Sequence, residues 1–148
     1  LIERLAEMLE VEIPQSAPSL FKPLNWGQIE EMGRNGVDVA SHSVTHPIMT
    51  QLERTQLDYE LVISKRDIEQ YTGKTVKGFC YPNGLAEDIN DEVKKSIANA
   101  GYEYAITAFP SNNPLSDSLE INRYPAGSNI DEFEKIIYGL RYQRWKNN

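Results

Sequence analysis

The stretch VASHSVTHPI, residues 39–48, contains both histidines of this 148-residue chain, His42 and His46. A short strand, VDVAS, is predicted immediately before them. Pro47 and the β-branched residues around the pair disfavour a regular helix, so the histidines are expected on a loop that follows the strand. Two interpretations remain open for this spacing. The histidines are either two ligands of one metal ion or two polar residues that share a turn.

The rest of the chain alternates between predicted helices and strands. Asn25 and Gln28 have the spacing of a capping box and begin one helix, and a long amphipathic helix over 53–72 ends at Gly73. A further helix over EVKKSIANA is expected to be capped by Asp88. The predicted strands are VDVAS, TVKGFCYP, YEYAITA and LEINRYP, and the last helix is IDEFEKIIYGLRY. Strands separated by helices predict an α/β fold with a largely parallel sheet or barrel.

In such folds the functional residues lie on loops at the carboxyl ends of the strands. His42, the turn from Tyr81 to Gly84 and the loop from Phe109 to Asn113 each lie just past a predicted strand, and Arg123 lies near the end of one, so these four segments are expected to converge on one rim. Asp38 is a poor third metal ligand, because four strand residues separate it from His42 by ~13 Å. It is expected instead to point into the core.

The composition narrows the range of partners. A net charge of −7 and a pI of about 4.9 argue against a nucleic-acid partner. Cys80 is the only cysteine, which excludes an internal disulfide, and no apolar run is long enough for a membrane helix. The sequence begins without methionine inside a helical pattern, and we expect a single domain over residues 1–148 that is part of a longer protein.

Four segments taken together resemble the polysaccharide deacetylase family, also called family 4 carbohydrate esterases. In chain order they are LNWGQIEEMGRNGVDVASHSVTHP, GFCYPNG, AGYEYAITA and INRYP, which span Leu24 to Pro125. The resemblance implies a distorted (β/α) barrel that removes N- or O-acetyl groups from an acetylated polysaccharide. It also implies that His42 and His46 bind a divalent metal, usually zinc.

The same resemblance implies that parts of the site are absent from this chain. The family's third ligand and general base come from an Asp-Asp pair on an upstream first strand, which this sequence lacks. We therefore expect a partial barrel without its first strand or strands, inactive alone, whose open sheet edges favour a homo-oligomer. The alternative function is a non-catalytic fragment that binds carbohydrate or metal. The resemblance leaves the parent's location open among secreted, periplasmic and cell-envelope sites.

The resemblance further assigns roles within the rim. The backbone N–H of Asn83 would donate to the oxyanion, Pro82 and Gly84 would shape its turn, and Tyr81 would line the substrate groove. A plain turn after a strand is the alternative for these residues. Cys80 replaces an arginine that orients the base in many members.

Two residues outside the Asn83 turn are further candidates. Arg123 is expected to supply the missing charge, with a surface ion pair as the alternative. Trp145 is expected to pack on the last helix rather than to form a sugar platform.

Overall fold

The computed structural model describes residues 2–14, 16–111 and 115–138. Its α-helices are α1 Ile2–Met8, α2 Trp26–Arg34, α3 Arg54–Thr72, α4 Asp91–Asn99 and α5 Ile130–Ile137, and its strands are β1 Gly78–Cys80 and β2 Tyr104–Ile106. Short 3-10 helices lie at Ser19–Phe21, Met49–Gln51 and Ala86–Asp88. In the described part of the chain, no helix is long and apolar enough to span a bilayer. Residues 139–142 of the predicted last helix lie outside the described residues.

The helix ends follow from local hydrogen bonding. Asn25 accepts from the Gln28 N–H at 2.9 Å and Gln28 accepts from the Asn25 N–H at 3.0 Å, so the predicted capping box is confirmed. Gly73 ends α3 with a left-handed φ of 65°, also as predicted. The prediction that Asp88 caps α4 is wrong, because Asn90 caps that helix through Val93. Asp88 belongs to the preceding 3-10 helix and accepts from the Leu85 N–H.

The sheet is parallel, as the sequence predicts. β1 pairs with β2 in the register Gly78↔Tyr104, Phe79↔Ala105 and Cys80↔Ile106. Parallel bridges extend the sheet on both sides, from Ser41 to Phe79 and from Ile106 to Ile121. The predicted strands over 37–41 and 119–125 are therefore reduced to single bridges, since each pairs with β1 or β2 at one point only. The predicted α/β class is confirmed.

The core lies between this sheet and helices α3 and α4. Its members are buried apolar side chains from both layers: Met49, Leu57, Leu61, Val76, Phe79, Tyr81, Val93, Ile97, Tyr102 and Ala105. The Tyr104 ring packs directly over Gly78 in β1, since a Cβ there would lie 2.5 Å from the ring. This packing fixes the positions at which the strands end and thus places the loops that carry the candidate site.

Candidate active site

The carboxyl ends of the four parallel segments form one rim, as predicted. His42 follows the Ser41 bridge, the turn of residues 81–84 follows β1, Thr107 follows β2 and Asn122 follows the Ile121 bridge. Backbone hydrogen bonds hold adjacent segments in place, including Cys80 N–H to Ser41 O at 2.7 Å. The first two loops of this rim, the histidine turn (residues 42–46) and the Asn83 turn (residues 81–84), carry most of the predicted site residues.

The two imidazoles of the histidine turn lie against each other. Their ring centroids are 4.7 Å apart at an interplanar angle of 82°, and both side chains are exposed. The turn reaches this geometry through two left-handed residues, Ser43 with φ 67° and His46 with φ 60°. Left-handed non-glycine residues carry backbone strain that the surrounding structure must offset, and such residues cluster at functional sites.

A backbone carbonyl orients the first imidazole. His42 Nδ1 lies 2.8 Å from the Cys80 carbonyl oxygen. A carbonyl oxygen only accepts, so Nδ1 carries the proton and donates. In the neutral ring, the lone pair then lies on Nε2, the nitrogen left to face solvent or bind an ion. Metal-binding histidines are commonly fixed in this way by a hydrogen bond to their other nitrogen.

A single carboxylate from α3 holds the histidine turn. Glu60 Oε2 accepts the N–H groups of Val44 at 2.6 Å and Thr45 at 2.9 Å, and Oε1 accepts the Thr45 hydroxyl at 2.5 Å. Ser43 Oγ accepts the His46 N–H at 2.9 Å. Glu60 thereby contacts the turn between its two histidines.

The environment of Glu60 favours its charged form. Burial raises the pKa of this carboxyl, but the hydrogen bonds from Thr45 and Val44 outweigh burial and hold the pKa below its usual range. The side chain is only 6% exposed. The sequence carries a signal for a residue of this kind. Glu60 lies between Leu57 and Leu61 on the apolar side of the predicted helix, where a charged residue needs a partner.

The Asn83 turn is shaped by its backbone. Asn83 has a left-handed φ of 55° and is exposed, while Gly84 has φ 70° and is buried. Gly84 O accepts the Ala108 N–H at 2.8 Å, and a Cβ at Gly84 would lie 2.9 Å from that nitrogen. Among the described residues, the Asn83 N–H has no hydrogen-bond acceptor. The Asn83 N–H is therefore available to donate to a ligand.

Tyr81 does not occupy the place expected from the sequence. Its side chain is 1% exposed, packs edge-to-face on Phe79 and donates its hydroxyl to Leu119 O at 2.7 Å. Burial, together with the charges of Asp117 and Glu120, raises the pKa of this phenol. The Pro82 side chain is buried as well. In this structure Tyr81 is a core residue that supports the turn, and over the described residues its side chain is too buried to line a groove.

The remaining candidates lie at the rim, at the surface or outside the described residues. Arg123 is exposed, and its Nε donates to Thr107 O at 2.7 Å, so its charge lies at the rim but forms no ion pair within the described residues. Asp38 is exposed, and the expectation that it points into the core is wrong. Cys80 is partly buried with a free thiol. Trp145 lies outside the described residues.

The donor set matches two ligands of a metal site. Two imidazoles whose centroids are 4.7 Å apart are compatible with binding one ion, since zinc–nitrogen bonds are about 2.0–2.1 Å. Over residues 2–14, 16–111 and 115–138, no group of three His, Cys, Asp or Glu side chains is arranged to hold a metal. The observed residues therefore fit a divalent ion as a partial ligand set.

Comparison with known proteins identifies the family. The family model for polysaccharide deacetylase matches residues 7–105. The chain belongs to the polysaccharide deacetylase family. No curated protein sequence matches the chain.

Solved structures of deacetylases have a similar fold. A Bacillus cereus polysaccharide deacetylase has a TM-score of 0.67 at 21% identity, over 92% of this chain and 47% of the other. The Streptococcus pyogenes deacetylase PplD, in complex with acetate, has a TM-score of 0.63 at 22% identity, over 71% and 46%. IcaB from Ammonifex degensii has a TM-score of 0.65 at 16% identity, over 91% and 64%.

These likenesses establish the fold as part of a (β/α) barrel, which confirms the predicted architecture. The chain spans less than half the length of the first two structures. At these sequence identities the comparison establishes the fold but does not identify a substrate.

Proposed function

We propose that the protein to which these residues belong catalyses metal-dependent hydrolytic deacetylation of an N- or O-acetylated polysaccharide. Family membership supports the hydrolase class, and the paired imidazoles at the rim support the metal. The observation that carries the proposal is the orientation of His42, because its Nδ1 donates to Cys80 O and leaves Nε2 free.

His42 and His46 would hold the divalent ion, which we propose to be zinc. When bound, that ion would act as a Lewis acid toward the acetyl carbonyl and would lower the pKa of water. The chain's own contribution is to keep the two imidazoles oriented on a turn fixed by Glu60 and Cys80 O. An ordered ligand pair loses less conformational freedom on binding an ion than a mobile pair would.

The Asn83 turn would stabilise the negative charge that develops on the acetyl oxygen. A backbone N–H that has no acceptor and is held on a rigid turn can donate to an oxyanion without reorganising. Pro82 and Gly84 shape this turn and would contact substrate through their backbone, as would Tyr81, whose side chain is in the core. Arg123 would keep a positive charge at the rim that orients the general base.

The base and the third ligand would come from outside these 148 residues. Among the described residues no carboxylate joins the two histidines to form a three-ligand group. Hydrolysis needs a group that removes the proton from water, and neither imidazole is free for this if both bind the ion. We therefore propose a further segment of the same protein as the source of both groups.

The same observation favours a second candidate function for the 148 residues alone. A site with two ligands and no base can bind an ion or an acetylated sugar without turnover. Ser41 pairs with β1 on one side, and no segment among the described residues pairs on its other side, so this edge of the sheet is open. We propose that the isolated chain forms homo-oligomers through it, which light scattering over a range of concentrations would detect.

Acetate release from acetylated chitooligosaccharides, measured with and without added Zn²⁺, tests these candidates. The isolated chain is expected to release none, and a protein that also contains the upstream segment is expected to release acetate only with metal. His42→Ala should abolish that release. Zinc-dependent release that persists when both His42 and His46 are alanine would overturn the assigned site. Release by the 148 residues alone would overturn the second candidate.

A further inference from the structure

Glu60 has a structural role that neither the family comparison nor the sequence pattern assigns. Its carboxylate is buried and receives three hydrogen bonds from Val44 and Thr45, the residues between the two histidines. It comes from α3, which is separate in sequence from the histidine turn. A carboxylate that satisfies two consecutive backbone N–H groups fixes the backbone conformation at both residues.

The backbone of the histidine turn requires such an anchor. Ser43 and His46 are both left-handed, at φ 67° and 60°, which non-glycine residues adopt only when other contacts offset the strain. Glu60 binds the two residues between them, and the Ser43 hydroxyl oxygen accepts the His46 N–H across the turn. His46 directly follows Thr45, so its position is coupled to Glu60 through Thr45. His42 has a second anchor in Cys80 O, whereas no such contact to the His46 ring occurs among the described residues.

We propose that Glu60 is a positioning residue that holds His46 against His42 so that the two imidazoles are arranged for one divalent ion. Glu60 acts through the geometry of the turn and touches neither imidazole. The metal part of this inference rests on the proposed function, but the ring arrangement does not. Groups that orient metal ligands in this way typically change metal affinity about 10- to 100-fold when they are altered.

Two substitutions separate geometry from charge at this position. Glu60→Gln removes the charge but keeps the reach, because its amide oxygen can still accept both backbone N–H groups. Glu60→Asp keeps the charge but shortens the side chain by one methylene group, so that its oxygens no longer reach Val44 and Thr45 together. A positioning role predicts that Glu60→Gln resembles the wild type and that Glu60→Asp does not. A purely electrostatic role predicts the reverse.

Glu69 provides a matched control on the same helix. Its Oε1 accepts the Val76 N–H at 2.9 Å, a bond of the same kind that holds a different loop. Glu69→Asp therefore perturbs α3 and one backbone hydrogen bond without touching the histidine turn. It should increase amide exchange at Val76 and leave Val44 and Thr45 unchanged.

The first readout needs no metal. Nuclear Overhauser contacts between the His42 and His46 rings, and amide exchange at Val44 and Thr45, are measured by NMR for each variant. We expect Glu60→Asp to lose the ring contacts and to exchange these amides at least about tenfold faster, whereas Glu60→Gln and Glu69→Asp keep both. Intact ring contacts in folded Glu60→Asp would overturn the proposal.

The second readout is Zn²⁺ affinity, measured by calorimetry on the same proteins. Glu60→Asp is expected to bind Zn²⁺ about tenfold or more weakly than wild type, with Glu60→Gln within about threefold of it. A tenfold loss of Zn²⁺ affinity in folded Glu60→Gln would overturn the positioning role. If Glu60→Asp does not fold, the Glu60→Gln result alone decides the question. If the wild type binds no Zn²⁺, the proposed metal function fails, while the ring contacts still decide the role of Glu60.

Discussion

The histidine turn and the Asn83 turn lie side by side at the rim, yet different parts of the chain hold them in shape. Both contain left-handed non-glycine residues, Ser43 and His46 in one and Asn83 in the other. A side chain from a distant helix holds the first, since Glu60 receives its N–H groups. Tight backbone packing holds the second, since Gly84 lies against Ala108. The first turn should therefore respond to side-chain changes and the second to changes in the backbone.

Gly84→Ala is expected to have the largest effect on folding. The new Cβ would lie 2.9 Å from Ala108 N and 3.1 Å from Tyr81 O, and φ at this position is +70°. We expect the free energy of unfolding, measured by urea denaturation, to fall by about 3 kcal/mol.

Gly36→Ala is the control for this prediction. Gly36 also has a left-handed φ, +85°, but no atom lies within 4 Å of its added Cβ. It should lose only about 1 kcal/mol, the cost of the left-handed backbone. Equal losses in the two variants would show that Gly84 is not tightly packed against Ala108.

Glu60→Ala is expected to have the next largest effect. It removes the acceptor of two backbone N–H groups and one hydroxyl, but Val44 and Thr45 are exposed enough for water to replace it. The free energy of unfolding should fall by about 2 kcal/mol. Glu69→Ala, which removes one such bond, should cost about 1 kcal/mol. A Glu60 variant as stable as wild type would mean that the histidine turn holds its shape without α3.

Acidification should weaken both regions by a smaller amount. The hydrogen bond from Lys94, and to a smaller extent the hydrogen bond from the Leu119 N–H, lower the pKa of Asp117. Hydrogen bonds that outweigh burial lower the pKa of Glu60. For each, the unfolded chain takes up protons first as the pH falls. Each carboxylate therefore contributes its full stabilisation at pH values above the ordinary pKa, 3.8 for Asp and 4.5 for Glu, and this contribution is lost as the pH falls below that value. Urea denaturation from pH 7 to 3 should show this slope, and Glu60→Gln should flatten it. An unchanged slope in that variant would contradict the assignment.

Lys94→Met is expected to have the smallest effect and to act on the Asn83 side alone. Lys94 bonds to Asp117 at 2.9 Å and to Glu120, next to Leu119, whose carbonyl accepts the Tyr81 hydroxyl. Burial lowers the pKa of this ammonium, but the bonds to both carboxylates outweigh burial and raise it overall. We expect a loss below about 1 kcal/mol that shrinks in high salt. A salt-independent loss would show that the ion pairs are not its cause.

The sequence predicted the features that depend on local pattern. The capping box at Asn25, the end of α3 at Gly73 and the placement of the histidines after a strand all follow from short-range chemistry. The convergence of four loops on one rim follows from the parallel topology. The metal ligation by His42 and His46 and the role of the Asn83 N–H stay predictions.

The sequence did not predict features that depend on contacts between distant segments. The Tyr81 side chain lies in the core, where its hydroxyl donates to Leu119 O. The two residues are far apart in the sequence, so residue spacing alone does not predict this contact. Glu60 anchors a turn that precedes it by some fifteen residues. Asp88 and Asn90 are both good capping residues, and the choice between them depends on how the 3-10 helix before α4 ends.

The central claim is that His42 and His46 bind one divalent ion together. Calorimetric titration of the 148-residue chain with Zn²⁺, alongside His42→Ala, His46→Ala and the double variant, tests this claim most directly. We predict weak binding of one ion per chain that either single substitution abolishes, because two ligands without a third give low affinity. Zn²⁺ binding of equal strength in wild type and in the double variant would contradict the account.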